Sequence, residues 1–198
     1  MTTRRGIAVL LFDAVEELDF AGPWEVLAAW SKQWPDDAIS VFTIAADAGP
    51  IRCAKGLTVV AEHGLADAPP FELLIFPGGR GTRPLLDDAA MIAWVRAQAE
   101  RGTTIASVCT GALVLAKAGL LDGRPATTHH SALELLASLG RDIDVKPDAR
   151  FVDDGAVLTA AGVSAGIDLA LHLVARMHSV ERAREVRRYI QYDPAPPV

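Results

Sequence analysis

Four short apolar runs are spaced through the first 108 residues of the chain, at residues 7–12, 40–45, 73–76 and 104–108. Glycine, proline or charged residues bound the runs, and continuous apolarity over this length is typical of strands buried on both faces of a parallel sheet. Helix-length segments separate them. Parallel strands that alternate with helices are joined by right-handed crossovers, so the sequence predicts an α/β fold with a doubly wound sheet and helices on both faces.

The remaining segments predict several helices and one hairpin. Pro23 is expected in the first turn of a helix, where its missing N–H group is not needed. An Asp-Gly pair between two apolar runs predicts a β-hairpin over residues 151–158. No boundary interrupts the pattern, so we expect a single domain over residues 1–198. Helices are predicted over residues 18–34, 83–101, 111–118, 131–139, 162–177 and 180–189.

Charge and cysteine content exclude several classes of protein. The 198 residues include 19 basic and 25 acidic side chains, for a net charge of −6, whereas a nucleic-acid-binding surface carries a basic excess. No apolar run approaches the roughly eighteen residues that span a membrane, and the N-terminus does not match a signal peptide. Two cysteines cannot form a disulfide framework, so a cytoplasmic protein is expected. Nucleotide-binding motifs and metal-ligand spacings are absent, so we expect no cofactor and no metal.

Cys109 stands where the run at residues 104–108 passes directly into a predicted helix. A residue at such a corner is displayed at the carboxyl end of the sheet, where open α/β folds bind their ligands. The free N–H groups at the start of a helix favour an anion, so we expect the pKa of this thiol to be lowered. This is the arrangement of a nucleophile elbow with sulfur as the nucleophile. A buried structural cysteine is the alternative. Cys53, with no activating group nearby, is expected to be structural or to be exposed without a role.

Two other strand ends supply polar groups to the same edge of the sheet. Gly78 and Gly79 follow the run at residues 73–76. Their N–H groups are expected to point at a developing anion, although an ordinary glycine turn would show the same residues. Asp19 lies between two apolar residues just before Ala-Gly-Pro. It is either the N-cap of a helix or an acid–base group beside Cys109.

Five motifs follow one another along the chain: Asp19-Phe20-Ala21-Gly22-Pro23, Phe76-Pro77-Gly78-Gly79, Ser107-Val108-Cys109-Thr110-Gly111, Ala126-Thr127-Thr128-His129 and Ala165-Gly166-Ile167-Asp168. Together they resemble the ThiJ/PfpI branch of the class I glutamine-amidotransferase-like superfamily. The resemblance runs over nearly the whole chain, from about Gly6 onward. Within that branch the motifs are most similar to those of isonitrile hydratases and of the sensor domains of AraC-type regulators.

The resemblance implies a flavodoxin-like sandwich, usually a homodimer, with a cysteine nucleophile at the elbow. Cys109 takes that position, and Asp19 matches an acidic residue that handles protons beside it. No metal or cofactor belongs to this arrangement. Other residues are implied to line the pocket with backbone N–H groups or to lie near the cysteine, and these are Gly78, Gly79, Thr110 and His129.

Two positions depart from the pattern of the relatives. Thr110 follows the cysteine where intracellular-protease-like relatives have histidine, so their Cys–His arrangement is not available here. His130 stands where hydratases have tryptophan, which changes the pocket wall. We therefore expect a small electrophilic substrate, and most specifically an isonitrile that is hydrated to an N-substituted formamide through a thioimidate on Cys109.

Two alternatives stay open at this point. The same thiolate could support glyoxalase-type hydration of a 2-oxoaldehyde. A non-enzymatic alternative is a ligand- or redox-sensing domain like those of the AraC-type regulators, with oxidation of Cys109 as its signal. Those regulators carry a DNA-binding segment after the sensor. We expect this chain, with its net charge of −6, to lack that segment, and this favours an enzyme.

Overall fold

Strands and helices alternate along the chain as the sequence predicts. The computed structural model describes residues 4–194. Its strands are β1 (Arg5–Leu10), β2 (Ile39–Ala45), β3 (Gly49–Arg52), β4 (Thr58–Ala61), β5 (His63–Gly64), β6 (Leu73–Phe76), β7 (Thr104–Val108), β8 (Pro125–Ala126), β9 (Asp144–Val145), β10 (Phe151–Asp154) and β11 (Val157–Ala160). Its α-helices are α1 (Glu17–Gln33), α2 (Thr82–Leu85), α3 (Ala89–Glu100), α4 (Gly111–Lys117), α5 (Leu133–Leu139), α6 (Ala165–Met177) and α7 (Val180–Tyr189).

Seven strands form the central sheet, in the order β10-β11-β7-β6-β1-β2-β5. Neighbouring strands are parallel except β10 and β11, which form the predicted hairpin. The four apolar runs are confirmed as β1, β2, β6 and β7, although β1 ends at Leu10 rather than at residue 12. The chain adds β2 on one side of β1 and later adds β6 on the other. Open α/β sheets bind ligands at the carboxyl ends of the strands that flank such a reversal, here β1 and β6.

Helices cover both faces of this sheet in two groups. Helices α1, α6 and α7 pack against one another, and α4 packs against α3 and α5 in a second group. The strands between them are therefore buried on both sides, and no residue of β6 is more than 1% exposed. This confirms the predicted class of fold. Within residues 4–194, no helix has the combination of length and apolarity that a bilayer crossing requires.

The prediction of one helix over residues 83–101 is wrong, because two helices, α2 and α3, share this segment. Asp88 lies between them as the N-cap of α3. Its carboxylate accepts hydrogen bonds from the N–H groups of Ala90 and Met91, both at 3.0 Å. An aspartate in this position satisfies N–H groups that a continuous helix would have bonded to its own carbonyls. The chain therefore turns before α3 begins.

Helix α1 begins at Glu17, so two residues that were expected at its start, Asp19 and Pro23, lie inside the helix. Pro23 lies in the body of the helix rather than in its first turn. Asp19 is not the N-cap either, because Glu16 holds that place and Asp19 is one turn further along. The carboxyl group of Asp19 is therefore not used by the N–H groups of its own helix. It is available to the neighbouring strand end.

Candidate active site

The start of α1 lies beside the carboxyl ends of β6 and β7, next to the point where the order of the strands reverses. Gly78 follows β6 by one intervening proline, and Cys109 follows β7 directly. The loop after β1 is tied to the same place, since Val15 forms a β-bridge with Gly79. This tie carries α1, and with it Asp19, to the edge of the sheet. The structure thus brings together the three strand ends that the sequence singled out.

Cys109 has the backbone conformation of a nucleophile elbow. Its φ angle is +55°, in the left-handed region that L-residues rarely adopt and that is common at functional turns. Its N–H group lies 3.1 and 2.9 Å from the carbonyl oxygens of Ala160 and Ala161. Its own carbonyl accepts a 2.7 Å hydrogen bond from the hydroxyl of Thr128. The strained turn is therefore held in place by segments more than a dozen residues away in sequence.

Asp19 is a fully buried carboxyl group in which only one of the two oxygen atoms accepts a hydrogen bond. The Gly78 N–H donates to its Oδ2 atom at 2.9 Å. Its Oδ1 atom is buried and has no hydrogen-bond partner among the described residues. Burial raises the pKa of Asp19 to about 7, against the opposing effect of the Gly78 N–H. A carboxyl group in this state can hold a proton near neutral pH and present it to a neighbour.

The prediction of a lowered pKa for the Cys109 thiol is wrong. Burial and the charge of Asp19 raise it to about 12. The N–H groups of Thr110 and Val163 face the thiol and favour its ionised form, but their effect is smaller. A carboxylate and a thiolate in contact repel each other, so the two groups share one proton. Between pH values of about 7 and about 12 the pair carries a single negative charge.

The two glycines after β6 are used differently from the prediction. The N–H group of Gly78 is occupied by Asp19, and that of Gly79 donates to the Thr110 hydroxyl at 2.9 Å. Neither N–H group is therefore free to point at a developing anion. Gly78 is still required, because a Cβ atom there would lie 2.5 Å from the Thr110 nitrogen and 2.8 Å from Asp19 Oδ2. Its role is to let the carboxyl group and the elbow come close together.

A cavity of about 380 Å³ opens beside Cys109. This is near the lower end of the range for small-molecule sites. Its lining residues form two groups that differ in charge. We call the uncharged residues around the thiol the floor of the cavity and the charged residues its rim. The floor residues are Gly79, Thr110, His129 and Val163, and the charged residues are Glu16, Lys55, Arg80 and Arg83.

Comparison with known proteins identifies the family. The sequence profile of the DJ-1/PfpI family matches residues 5–176. The chain belongs to the DJ-1/PfpI family. It is 40% identical over 191 residues to an isonitrile hydratase from Pseudomonas putida, covering 96% of this chain and 80% of that protein. A crystal structure of a ThiJ/PfpI family protein from Pseudomonas syringae matches with a TM-score of 0.87 at 31% identity, covering 98% of this chain and 78% of that one.

Transcriptional regulators also resemble this DJ-1/PfpI chain. The HTH-type transcriptional regulator CdhR from Pseudomonas aeruginosa is 34% identical over 147 residues. The match covers 72% of this chain but only 42% of the regulator. The elbow and the buried carboxyl group therefore belong to a fold that relatives use in more than one way.

His129 is the remaining predicted site residue of this DJ-1/PfpI protein, and it lines the cavity. Its Nδ1 atom accepts from the Ser131 N–H at 3.3 Å and lies 2.8 Å from the Ser131 hydroxyl. Burial and the neighbouring His130 lower the pKa of His129, which favours a neutral ring at pH 7. His130 stacks on His129 with ring centroids 4.2 Å apart and is itself exposed. It does not form the cavity wall, contrary to expectation.

Sequence reasoning missed Val163 and the four charged residues of the rim. Val163 brings its N–H group to the thiol with a φ angle of +47°. A β-branched residue is unfavourable in that conformation, so residue type gave no signal. Glu16 could not be told apart from the other carboxylates of its loop. Its ion pair with Lys55 joins segments that are far apart in the sequence, so local patterns did not reveal it. The Gly79-Arg80-Gly81 sequence was the one available signal, since it placed an arginine next to a strand end.

Proposed function

We propose that this chain is a cysteine-dependent hydratase that converts isonitriles to N-substituted formamides. The observation that carries the proposal is a buried Asp19 carboxyl group beside the strained elbow at Cys109, where each of the two groups shifts the pKa of the other. The pair holds one proton and one negative charge at neutral pH. Isonitrile hydration needs both, because a nucleophile must attack the terminal carbon and that carbon must gain a proton. The similarity to an isonitrile hydratase supports the same reaction.

In the first step, the shared proton moves from the Cys109 sulfur to Asp19, and Cys109 attacks as the thiolate. The sulfur forms a bond to the terminal carbon of the isonitrile, and Asp19 gives its proton to the same carbon. The product is a thioimidate, R–N=CH–S–Cys109, and Asp19 is left as a carboxylate. The N–H groups of Thr110 and Val163 face the sulfur and stabilise its negative charge before attack.

In the second step, water adds to the thioimidate carbon. The Asp19 carboxylate takes a proton from water as the oxygen attacks and passes that proton to the nitrogen. Asp19 then takes the hydroxyl proton as the carbon–sulfur bond breaks. The formamide leaves a thiolate beside a protonated carboxyl group, and the proton then returns to the sulfur. One water is consumed for each isonitrile, and no electrons are exchanged.

The test is turnover of benzyl isonitrile by the Cys109→Ala variant. We expect no turnover above background, whereas Cys53→Ala, which changes the other buried free cysteine, keeps the rate of the parent protein. Formamide is measured by liquid chromatography. Methylglyoxal assayed alongside separates isonitrile hydration from hydration of a 2-oxoaldehyde. Unchanged turnover by Cys109→Ala would rule the mechanism out.

A second candidate function is ligand sensing, and the similarity to CdhR favours it. A sensing domain would bind its ligand in the same cavity without consuming it. Calorimetric titration of benzyl isonitrile into the protein, followed by recovery of the compound, distinguishes the two. Binding with full recovery of the isonitrile supports a sensor, and conversion to the formamide supports the hydratase.

We also propose that the protein acts as a cytoplasmic homodimer that needs no nucleic acid, membrane, metal or cofactor. The family resemblance supports the dimer, and so does the β3–β4 hairpin, which leaves Leu57 and Val60 51% and 68% exposed. Large apolar side chains grouped on a surface are typical of protein interfaces. Sedimentation equilibrium gives the mass in solution, and a monomer at micromolar concentration would contradict the proposal.

A further inference from the structure

The rim of the Cys109 cavity has a cationic excess that the rest of the protein lacks. Three of its side chains are cations, Lys55, Arg80 and Arg83, and one is a carboxylate, Glu16. The whole chain has the opposite balance, with a net charge of −6. A local excess of one sign at the mouth of a cavity focuses the electric field there and attracts ligands of the opposite sign.

The two arginines carry this excess. Lys55 forms an ion pair with Glu16, so those charges offset each other. In the described part of the chain, no ion pair includes Arg80 or Arg83. Among residues 4–194, Arg83 makes a single polar side-chain contact, with the hydroxyl of Thr82, which accepts from Nη1 at 3.1 Å. Both guanidinium groups line the cavity and keep donors that no carboxylate of the described residues occupies.

A rigid turn places both arginines at the cavity. The N–H group of Arg83 donates to the carbonyl of Arg80 at 3.2 Å, which sets the two side chains one turn apart. Between them, the Gly81 N–H donates to the Ala14 carbonyl at 3.1 Å. A Cβ atom at Gly81 would lie 2.0 Å from the Asp13 carbonyl oxygen, so the turn is pressed against the loop after β1. Residues three apart on a helical turn lie on the same side.

The arginines lie on the cavity wall with Cys109, but the groups that act most strongly on the thiol are others. Burial, Asp19, Thr110 and Val163 set its pKa, and no cation is among them. The arginines are thus arranged to contact the part of a ligand that lies away from the sulfur. Guanidinium groups bind carboxylates through paired N–H···O hydrogen bonds, which fix the orientation of the ligand as well as its charge.

We infer that the natural substrate carries a carboxylate, which Arg80 and Arg83 bind while its electrophilic carbon lies at Cys109. The reacting carbon rests on the proposed function, whereas the carboxylate rests only on the arginine pair and the cavity they share with the thiol. The volume of about 380 Å³ fits a short molecule. The substrate class is therefore a small isonitrile acid rather than a neutral hydrocarbon isonitrile.

The first experiment tests the anion site without using the hydratase reaction. Iodoacetate and iodoacetamide alkylate thiols by the same displacement, but only iodoacetate is charged. The rate ratio of the two reagents is measured at Cys109 by peptide mass spectrometry, with the same thiol in the urea-unfolded chain as reference. We expect the folded protein to favour iodoacetate by about tenfold over the reference at low salt, and the preference to shrink in 0.5 M NaCl, where the Debye length is only about 4 Å.

The double variant Arg80→Gln/Arg83→Gln should lower the ratio to the unfolded value. Arg184→Gln/Arg188→Gln removes the same charge from exposed positions on α7 and should leave the ratio unchanged. A wild-type ratio equal to the unfolded reference, or a ratio that the Arg80 and Arg83 changes do not lower, overturns the inference.

The second experiment compares turnover of isocyanoacetate with that of its methyl ester. We expect kcat/KM for the acid to exceed that for the ester by about tenfold, and Arg80→Gln/Arg83→Gln to remove the difference. Equal turnover of both compounds contradicts the inference and leaves the proposed reaction standing. An absence of turnover for both, together with a raised alkylation ratio, overturns the proposed reaction and supports the anion site.

Discussion

Replacing Asp19 with asparagine should stabilise the protein at pH 8 and inactivate it. Burial raises the pKa of Asp19 from 3.8 to about 7 in the folded state, so the folded protein binds more protons than the unfolded chain between these values. The contribution of this carboxyl group to stability is therefore fully present below pH 3.8 and is lost as the pH rises to about 7. At 1.36 kcal/mol for each pKa unit, the loss is about 4 kcal/mol at pH 8.

Asparagine has the same shape and can still accept from the Gly78 N–H, but it does not ionise. The free energy of unfolding of Asp19→Asn relative to wild type should therefore increase by about 4 kcal/mol between pH 4 and pH 8. Urea unfolding followed by tryptophan fluorescence measures this difference. Asp47→Asn, which changes an exposed carboxylate, is the matched control and should show no such trend. Parallel pH curves for Asp19→Asn and wild type would refute the reasoning.

Two further predictions concern the same site. Because the Asp19–Cys109 pair is singly charged between about pH 7 and about pH 12, kcat/KM for benzyl isonitrile should rise tenfold per pH unit up to about 7 and then level off. A flat profile from pH 5 to pH 8 would contradict this. Gly78→Ala should lower turnover by about 100-fold, because its Cβ displaces Thr110 and Asp19. At Gly102 a Cβ meets nothing within 4 Å, and only the φ angle of +83° disfavours alanine. Gly102→Ala should therefore lower stability but keep the turnover, and full activity of Gly78→Ala would be the contrary result.

The strands and the elbow could be predicted because their signals are local. A strand buried on both faces needs apolar residues throughout, so β6 and β7 are visible as runs in the sequence. The elbow follows from the direct passage of β7 into a helix with Cys109 at the junction. The break at Asp88 was missed because aspartate also occurs on exposed helix faces, and only the bonds that it makes identify it as an N-cap.

The sequence does not give the depth of burial, which has the largest effect on the pKa values of the site. The pKa of Cys109 depends on how deeply the thiol is buried and on the contact with Asp19, which is 90 residues earlier in the chain. The direction of the Gly78 N–H depends on the backbone after β6, and its acceptor lies on α1. Helix-start geometry favours a thiolate at Cys109, but the larger effects of burial and like charge prevail.

The assembly of the elbow from distant segments has a consequence for the folding chain. The N–H group of Cys109 is held by carbonyl groups at the end of β11, a strand that comes later in the chain than β7 and is separated from it by two helices and three strands. Until β11 pairs with β7, nothing in this set of contacts holds Cys109 at a positive φ angle. The elbow therefore forms only when the C-terminal half of the sheet is in place, and the nucleophile reaches its working geometry late in folding.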